Sequence, residues 1–65
     1  MSTPRELSHA EAEILLHALQ VRQQGEALGV LVYRPTATEW VVGGEPLREL
    51  AAINRLAVLA GYQVR

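Results

Sequence analysis

Histidine and glutamate side chains recur at one-turn intervals near the start of the chain, where they could chelate a metal ion. His9, Glu13 and His17 are spaced i, i+4 and i+8, so on a helix they lie on one face. Imidazole and carboxylate groups are both zinc ligands. The sequence nevertheless lacks the His-Glu-x-x-His pattern and a further ligand at a suitable spacing. Because the surrounding face is polar throughout, we expect a solvated helix surface with no metal and no cofactor.

Groups suited to nucleophilic catalysis are scarce. The chain contains no cysteine, and neither Ser2 nor Ser8 lies in a nucleophile elbow or beside a recognisable triad. The glycines form no phosphate-binding fingerprint, and turn or cap roles explain them. We therefore expect no catalytic residues and a protein that is not an enzyme.

The first predicted element is a helix over residues 8–24. Ser8 and Glu11 form a capping-box pattern, and Gly25 suits the left-handed conformation that ends a helix. The i, i+3, i+4, i+7 spacing predicts a core-facing stripe, consisting of Ala12, Leu15, Leu16 and Leu19. A second apolar strip lies roughly opposite, and either the second helix or another molecule would cover it: Ala10, Ile14, Ala18 and Val21.

Two strands follow, over residues 28–34 and 38–42, because both segments are rich in β-branched and aromatic residues. Pro35 ends the first strand in this interpretation, and the short connection predicts an antiparallel hairpin. Alternation places Val30 and Val32 on one face and Leu31 and Tyr33 on the other. We expect Trp40 to pack in the core.

A second helix is predicted over residues 46–60, after the break at Gly43 and Gly44, and Gly61 closes it. Its predicted apolar face contains Leu47, Leu50, Ala51, Ala57 and Val58, and it includes Asn54 as a buried polar group. Residues 62–65 alternate, which suits either a third short strand or a frayed tail. The predicted fold is α+β: one small α-β-β-α domain over residues 1–65, with the hairpin packed against two helices.

Charge and hydropathy narrow the class of protein. The net charge is −1, whereas a general nucleic-acid binder is usually far more basic, so no direct nucleic-acid contact is expected. The chain has no apolar run of 18 residues and no signal-like apolar segment near its start. We therefore expect no membrane association and a cytoplasmic location.

The remaining candidates for function are surface residues. Spaced glutamates, including Glu6, can stand in for phosphates and enter a basic groove that normally holds nucleic acid, although their number also suits an ordinary soluble surface. We predict a partner-binding set of Glu11, Glu13, Ile14, Val21, Glu26 and Glu39.

The chain resembles a known family in two respects. These are the predicted order helix, hairpin, helix within 65 residues and the opening Met-Ser-Thr-Pro-Arg-Glu-Leu-Ser-His-Ala-Glu. It resembles the short phage-encoded anti-CRISPR proteins, in particular those directed at type I-C systems. The resemblance implies a non-enzymatic inhibitor acting in the cytoplasm of a bacterial host. Such an inhibitor binds a Cas subunit of the type I surveillance complex and blocks recognition of target DNA.

A small DNA-binding regulator or antitoxin-like subunit is the alternative. It would dimerise through Ile14 and Val21 and place Arg48 and Arg55 on DNA, although local pairing of Arg48 with Glu45 is the simpler expectation. Arginines clustered on one face would favour this alternative, and a continuous acidic face would favour the inhibitor. The sequence also allows a structural accessory protein of a phage, and either a monomer or a weak dimer.

Overall fold

The chain folds into two helices and six strands, described by a computed structural model over residues 5–65. In chain order these are β1 (Arg5–Leu7), α1 (His9–His17), β2 (Gln24–Ala27), β3 (Val30–Thr36), β4 (Glu39–Val42), β5 (Glu45–Arg48), α2 (Glu49–Ala60) and β6 (Tyr62–Val64). This confirms the α+β class. Ser2, considered above as a nucleophile, lies outside the described residues.

Strands β2, β3, β4 and β5 form an antiparallel sheet in sequence order, and β1 pairs with β6 in parallel. The predicted hairpin is confirmed, since Val32 lies opposite Val42 and Tyr33 opposite Val41. The prediction that β3 ends before Pro35 is wrong. The strand continues to Thr36 across a shift in register, which accommodates a proline that cannot donate a ladder hydrogen bond.

Helix α1 begins as predicted but ends seven residues early, at His17 instead of residue 24. Its start is confirmed, because the Glu11 backbone N–H donates to Ser8 Oγ at 3.1 Å. Residues 18–23 form turns that lead into β2, and residues 24–27 pair with β3. Gly25 is therefore a strand residue opposite Val32 and not a helix cap.

Helix α2 begins at Glu49, three residues later than predicted, because residues 45–48 pair with β4 as an edge strand. Gly43 and Gly44, with φ of 61° and 81°, form a two-residue hairpin turn of the kind that requires positive φ. Pro46 is tolerated because β5 is at the edge of the sheet. At the other end, Gly61 closes α2 in the left-handed conformation, as predicted.

The buried face of α2 also differs from the prediction. Ala52, Ile53, Leu56 and Ala57 are the residues that pack in the core. Most of the predicted face is at the surface, and both Leu50 and Asn54 are exposed. Apolar side chains occupy nearly every side of this helix, so periodicity alone could not select the face against the sheet.

The core lies between the inner face of the four-stranded sheet and the two helices. Trp40 is 1% exposed, and its indole N–H donates to the Leu16 carbonyl at 3.0 Å. The predicted stripe is buried, because Ala12 and Leu16 of α1 lie in the core and Leu15 packs against them; Leu19 is buried too, although it lies beyond the end of α1. Of the two alternatives for the C-terminal residues, the structure has the strand, which pairs with β1 and not with the hairpin.

The Arg34 side chain contacts three parts of the chain: the segment after α1, the turn between β3 and β4, and Trp40. Its guanidinium donates to the Leu19 carbonyl at 2.6 Å and to the Ala37 carbonyl at 3.0 Å. The same group lies over the Trp40 ring, 5.0 Å from its centroid. One side chain thus fixes the segment leaving α1 against the turn between β3 and β4.

Candidate functional site

The solvent-facing side of α1 is the principal candidate for a binding surface. Ala10, Ile14 and Ala18 are all exposed, and Ile14 is exposed over 69% of its surface. Helix α2 does not cover this strip, because α1 turns Ala12 and Leu16 toward the core. Val21 is also exposed but lies in the turns beyond the shortened helix.

A groove of about 380 Å³ borders Ile14 on one side. We call it the α1 groove, and it is lined by Leu7, Glu11, Ile14, Leu15, Leu28 and Tyr62. The β1–β6 pair, α1 and the β2–β3 turn each contribute a wall. The lining is apolar apart from the Glu11 carboxylate and the Tyr62 hydroxyl, which accepts a hydrogen bond from the Arg5 guanidinium at 3.4 Å, so the groove suits an apolar side chain that carries a polar group.

Leu28 occupies an unfavourable backbone conformation at the edge of this groove. Leu28 and Gly29 form a two-residue hairpin turn with φ of 53° and 79°, a geometry that favours Asn, Asp or Gly at the first position. A left-handed conformation costs a leucine roughly 1–2 kcal/mol. In this strained turn, the Leu28 side chain forms an apolar wall of the α1 groove, where it remains 36% exposed.

A smaller concavity of about 240 Å³ borders Ile14 on its other side, beside the predicted polar face of α1. His9, Glu13 and His17 are exposed to solvent, as predicted. His9 Nδ1 lies 3.6 Å from Glu13 Oε2, and His17 Nε2 lies 3.1 Å from Glu49 Oε1. Glu49 comes from the first turn of α2, 32 residues after His17, and no local spacing in the sequence indicated it.

Five of the six predicted partner-binding residues lie on two separate surfaces, and the sixth, Val21, lies in the turns after α1. Glu11, Glu13 and Ile14 share α1, whereas Glu26 and Glu39 alternate with the inward-facing Ala27 and Trp40 and therefore point to the outer face of the sheet. The six predicted residues do not form one continuous patch.

The outer face of the sheet carries exposed apolar residues of its own. Leu31 and Tyr33 share one face, as predicted from their alternation, and it is the outward one. Tyr33, Val41 and Pro46 occupy matching positions on three neighbouring strands. This face is a further exposed apolar surface. The outer side of α2 is another, where Leu50, Val58 and Leu59 are exposed and a concavity of about 440 Å³ lies beside Val58.

Several arginines are engaged within the chain. Arg55 is paired with Glu45 at 3.0 Å and Arg65 with Glu6 at 3.4 Å, so the expected pairing of Arg48 with Glu45 is wrong. Helix α1 itself carries Glu11 and Glu13 and no arginine. Its exposed side is therefore acidic around an apolar centre.

Neither described helix is long and apolar enough to cross a membrane. No protein-family model matches the chain, and comparisons with curated proteins and with solved structures gave no match.

Proposed function

We propose that this protein is a non-enzymatic inhibitor that binds another protein through the exposed side of α1. One observation carries the proposal: the exposed Ile14 lies at the edge of the α1 groove, and the strained Leu28 forms part of the wall of that groove. A bulky residue kept in a strained turn and partly in water is better explained by recognition than by packing.

Energetically, Ile14 is the natural centre of such an interface. Full burial of an isoleucine side chain stabilises a complex by about 1.5–3 kcal/mol, and Ile14 still has 69% of its surface to bury. Residues that dominate binding usually lie at the centre of an interface, within contacts that exclude water. The concave surfaces on both sides of Ile14 give a partner room to surround it.

The charge of α1 points to a basic partner surface. Glu11 lines the groove and Glu13 lies on the other side of Ile14. Exposed carboxylates steer a basic partner into place and lose strength as salt screens them. The resemblance to anti-CRISPR proteins supplies the partner class, namely a Cas subunit of a type I surveillance complex at a surface that otherwise holds DNA.

The test is a binding titration with a purified type I-C surveillance complex, combined with a gel shift of its target DNA. We expect the wild-type protein to bind the complex and to displace target DNA. Ile14→Glu should weaken binding by about tenfold or more, equivalent to about 1.4 kcal/mol, while leaving the circular dichroism spectrum and melting temperature nearly unchanged. Leu31→Glu is the matched control, because Leu31 is also mostly exposed but on the outer face of the sheet.

Three results would contradict the proposal. The first is a wild-type protein that leaves the complex unbound and its DNA recognition intact. Loss of binding by Leu31→Glu, with Ile14→Glu unaffected, would move the interface to the sheet. Tight, sequence-specific binding of duplex DNA by the protein alone would support the DNA-binding regulator instead.

A further inference from the structure

Metal-binding side chains from two helices meet where α1 ends and α2 begins. One ligand atom each from Glu13, His17 and Glu49 lies within 4.8 Å of the others. We call these three residues the His–Glu cluster. Two of them are on α1, one turn apart, and the third is in the first turn of α2, so only folding brings the set together.

We propose that the His–Glu cluster binds a divalent transition-metal ion such as Zn²⁺. Around a tetrahedral zinc ion with bonds of about 2.0 to 2.2 Å, neighbouring ligand atoms are roughly 3.3–3.6 Å apart. His17 Nε2 and Glu49 Oε1 are already 3.1 Å apart. Glu13 completes the set by a rotation of its exposed side chain, and water fills the remaining position.

Contacts with the core hold His17 and Glu49 in place. The His17 ring meets the edge of buried Trp40, with centroids 5.1 Å apart, so its orientation is set by contact with the core. Glu49 is followed within four residues by the buried Ala52 and Ile53, which fix the first turn of α2. His9 Nδ1 lies 3.6 Å from Glu13 Oε2, and Glu13 is the residue whose carboxylate has to rotate toward the ion.

The ligand atoms of the His–Glu cluster determine which metal ions it favours. Ca²⁺ and Mg²⁺ prefer sites made entirely of oxygen, whereas a mixture of imidazole and carboxylate suits Zn²⁺, Ni²⁺ and Cu²⁺. A bound ion would tie the end of α1 to the start of α2 and offset the charge of two carboxylates. The proposal does not depend on the inhibitor function, because it concerns the protein alone.

The chain contains a single tryptophan, which makes a direct assay possible. Zn²⁺ binding would be measured by titrating the untagged protein with ZnCl₂ in a calorimeter. In parallel, NiCl₂ or CuCl₂ would be added while the fluorescence of Trp40 is recorded, because a quenching ion held by His17 lies next to the indole. We expect one ion per chain, saturable quenching that EDTA reverses, and a higher melting temperature with ZnCl₂.

Variants locate the ion. His17→Gln and Glu49→Gln should each weaken Zn²⁺ binding by about tenfold or more, and both glutamines preserve side-chain size and hydrogen bonding. Glu11→Gln is the matched control, an exposed carboxylate of α1 outside the cluster, and it should bind Zn²⁺ as the wild type does. The proposal is overturned if the wild type shows no saturable binding, or if the cluster variants bind as tightly as Glu11→Gln. Circular dichroism of each variant separates loss of a ligand from loss of the fold.

Discussion

Replacing Arg34 with methionine tests whether this side chain holds the segment leaving α1 against the sheet. Methionine preserves much of the apolar stem but removes the guanidinium, and with it the hydrogen bonds to the Leu19 and Ala37 carbonyls and the contact with Trp40. The partly buried Leu19 carbonyl would lose a charged donor, whereas the Ala37 carbonyl is exposed and can bind water instead. The expected result is a folded but clearly less stable protein.

The magnitude follows from these contacts. The bond to Leu19 is worth about 1.5–3 kcal/mol, and the bond to Ala37 roughly 0.5 kcal/mol because water replaces it. Stacking on Trp40 adds about 1 kcal/mol. Against this, Arg34 Nε is buried without a hydrogen-bond partner, and removing it returns roughly 1 kcal/mol. The net loss is about 2–3.5 kcal/mol, a large share of the stability expected for 65 residues, roughly 3–10 kcal/mol.

Urea denaturation followed by far-ultraviolet circular dichroism would measure this loss, and the melting temperature should fall by at least about 10 °C. Arg34→Lys should fall between the wild type and Arg34→Met, because an ammonium keeps the charge but cannot reach both carbonyls in the fixed geometry of a guanidinium. Arg48→Met is the matched control on an exposed arginine and should change stability by less than about 0.5 kcal/mol. If Arg34→Met were as stable as this control, the structural role assigned to Arg34 would be refuted.

Two further substitutions test the turn beside the α1 groove and the close contact under β2. Leu28→Asn should be more stable than Leu28→Ala by about 0.5–1 kcal/mol, because both variants lose the leucine side chain but asparagine tolerates the positive φ of this turn, and both should weaken partner binding. Denaturation curves and the binding titration measure the two effects separately, and a Leu28→Asn variant no more stable than Leu28→Ala would refute the strain argument. Gly25→Ala would place a Cβ 2.6 Å from Cδ2 of the buried Leu19, so we expect a loss of about 1–3 kcal/mol by urea denaturation. Gln24→Ala, at the exposed neighbouring position, should be nearly neutral, and equal stability of the two variants would contradict the contact.

Local signals in the sequence determined where several elements begin or end and which residues of α1 are buried. Ser8 caps α1 through Glu11, and Gly61 ends α2 in the left-handed conformation. The hairpin of β3 and β4 and the burial of Trp40 also followed from residue type and alternation. These features depend on neighbours within a few positions, so the residues that specify them are adjacent in the chain.

For the candidate site, the sequence indicated an exposed Ile14 on an acidic helix but not the walls around it. The β1–β6 pair and the β2–β3 turn complete the α1 groove from both halves of the chain. Glu26 and Glu39 were grouped with Glu11 as one partner-binding set. In the structure, Glu26 and Glu39 point to the outer face of the sheet. Alternation along a strand predicts which residues share a face, but which face is exposed is known only once the strand has its place in the sheet.

Only the tertiary structure decided where α1 and α2 give way to strands. The sequence predicts helix over residues 18–24 and 46–48. Residues 18–23 instead form turns, and residues 24–27 and 45–48 pair with β3 and β4, whose hydrogen bonds no local pattern reveals. Packing likewise selected Ile53 and Leu56 of α2 for the core. It also brought Glu49 to His17 and the Arg34 guanidinium to the end of α1. The physical reason is common to all of these: local propensities differ by less than about 1 kcal/mol per residue, whereas strand pairing and core burial add contacts between distant residues that outweigh them.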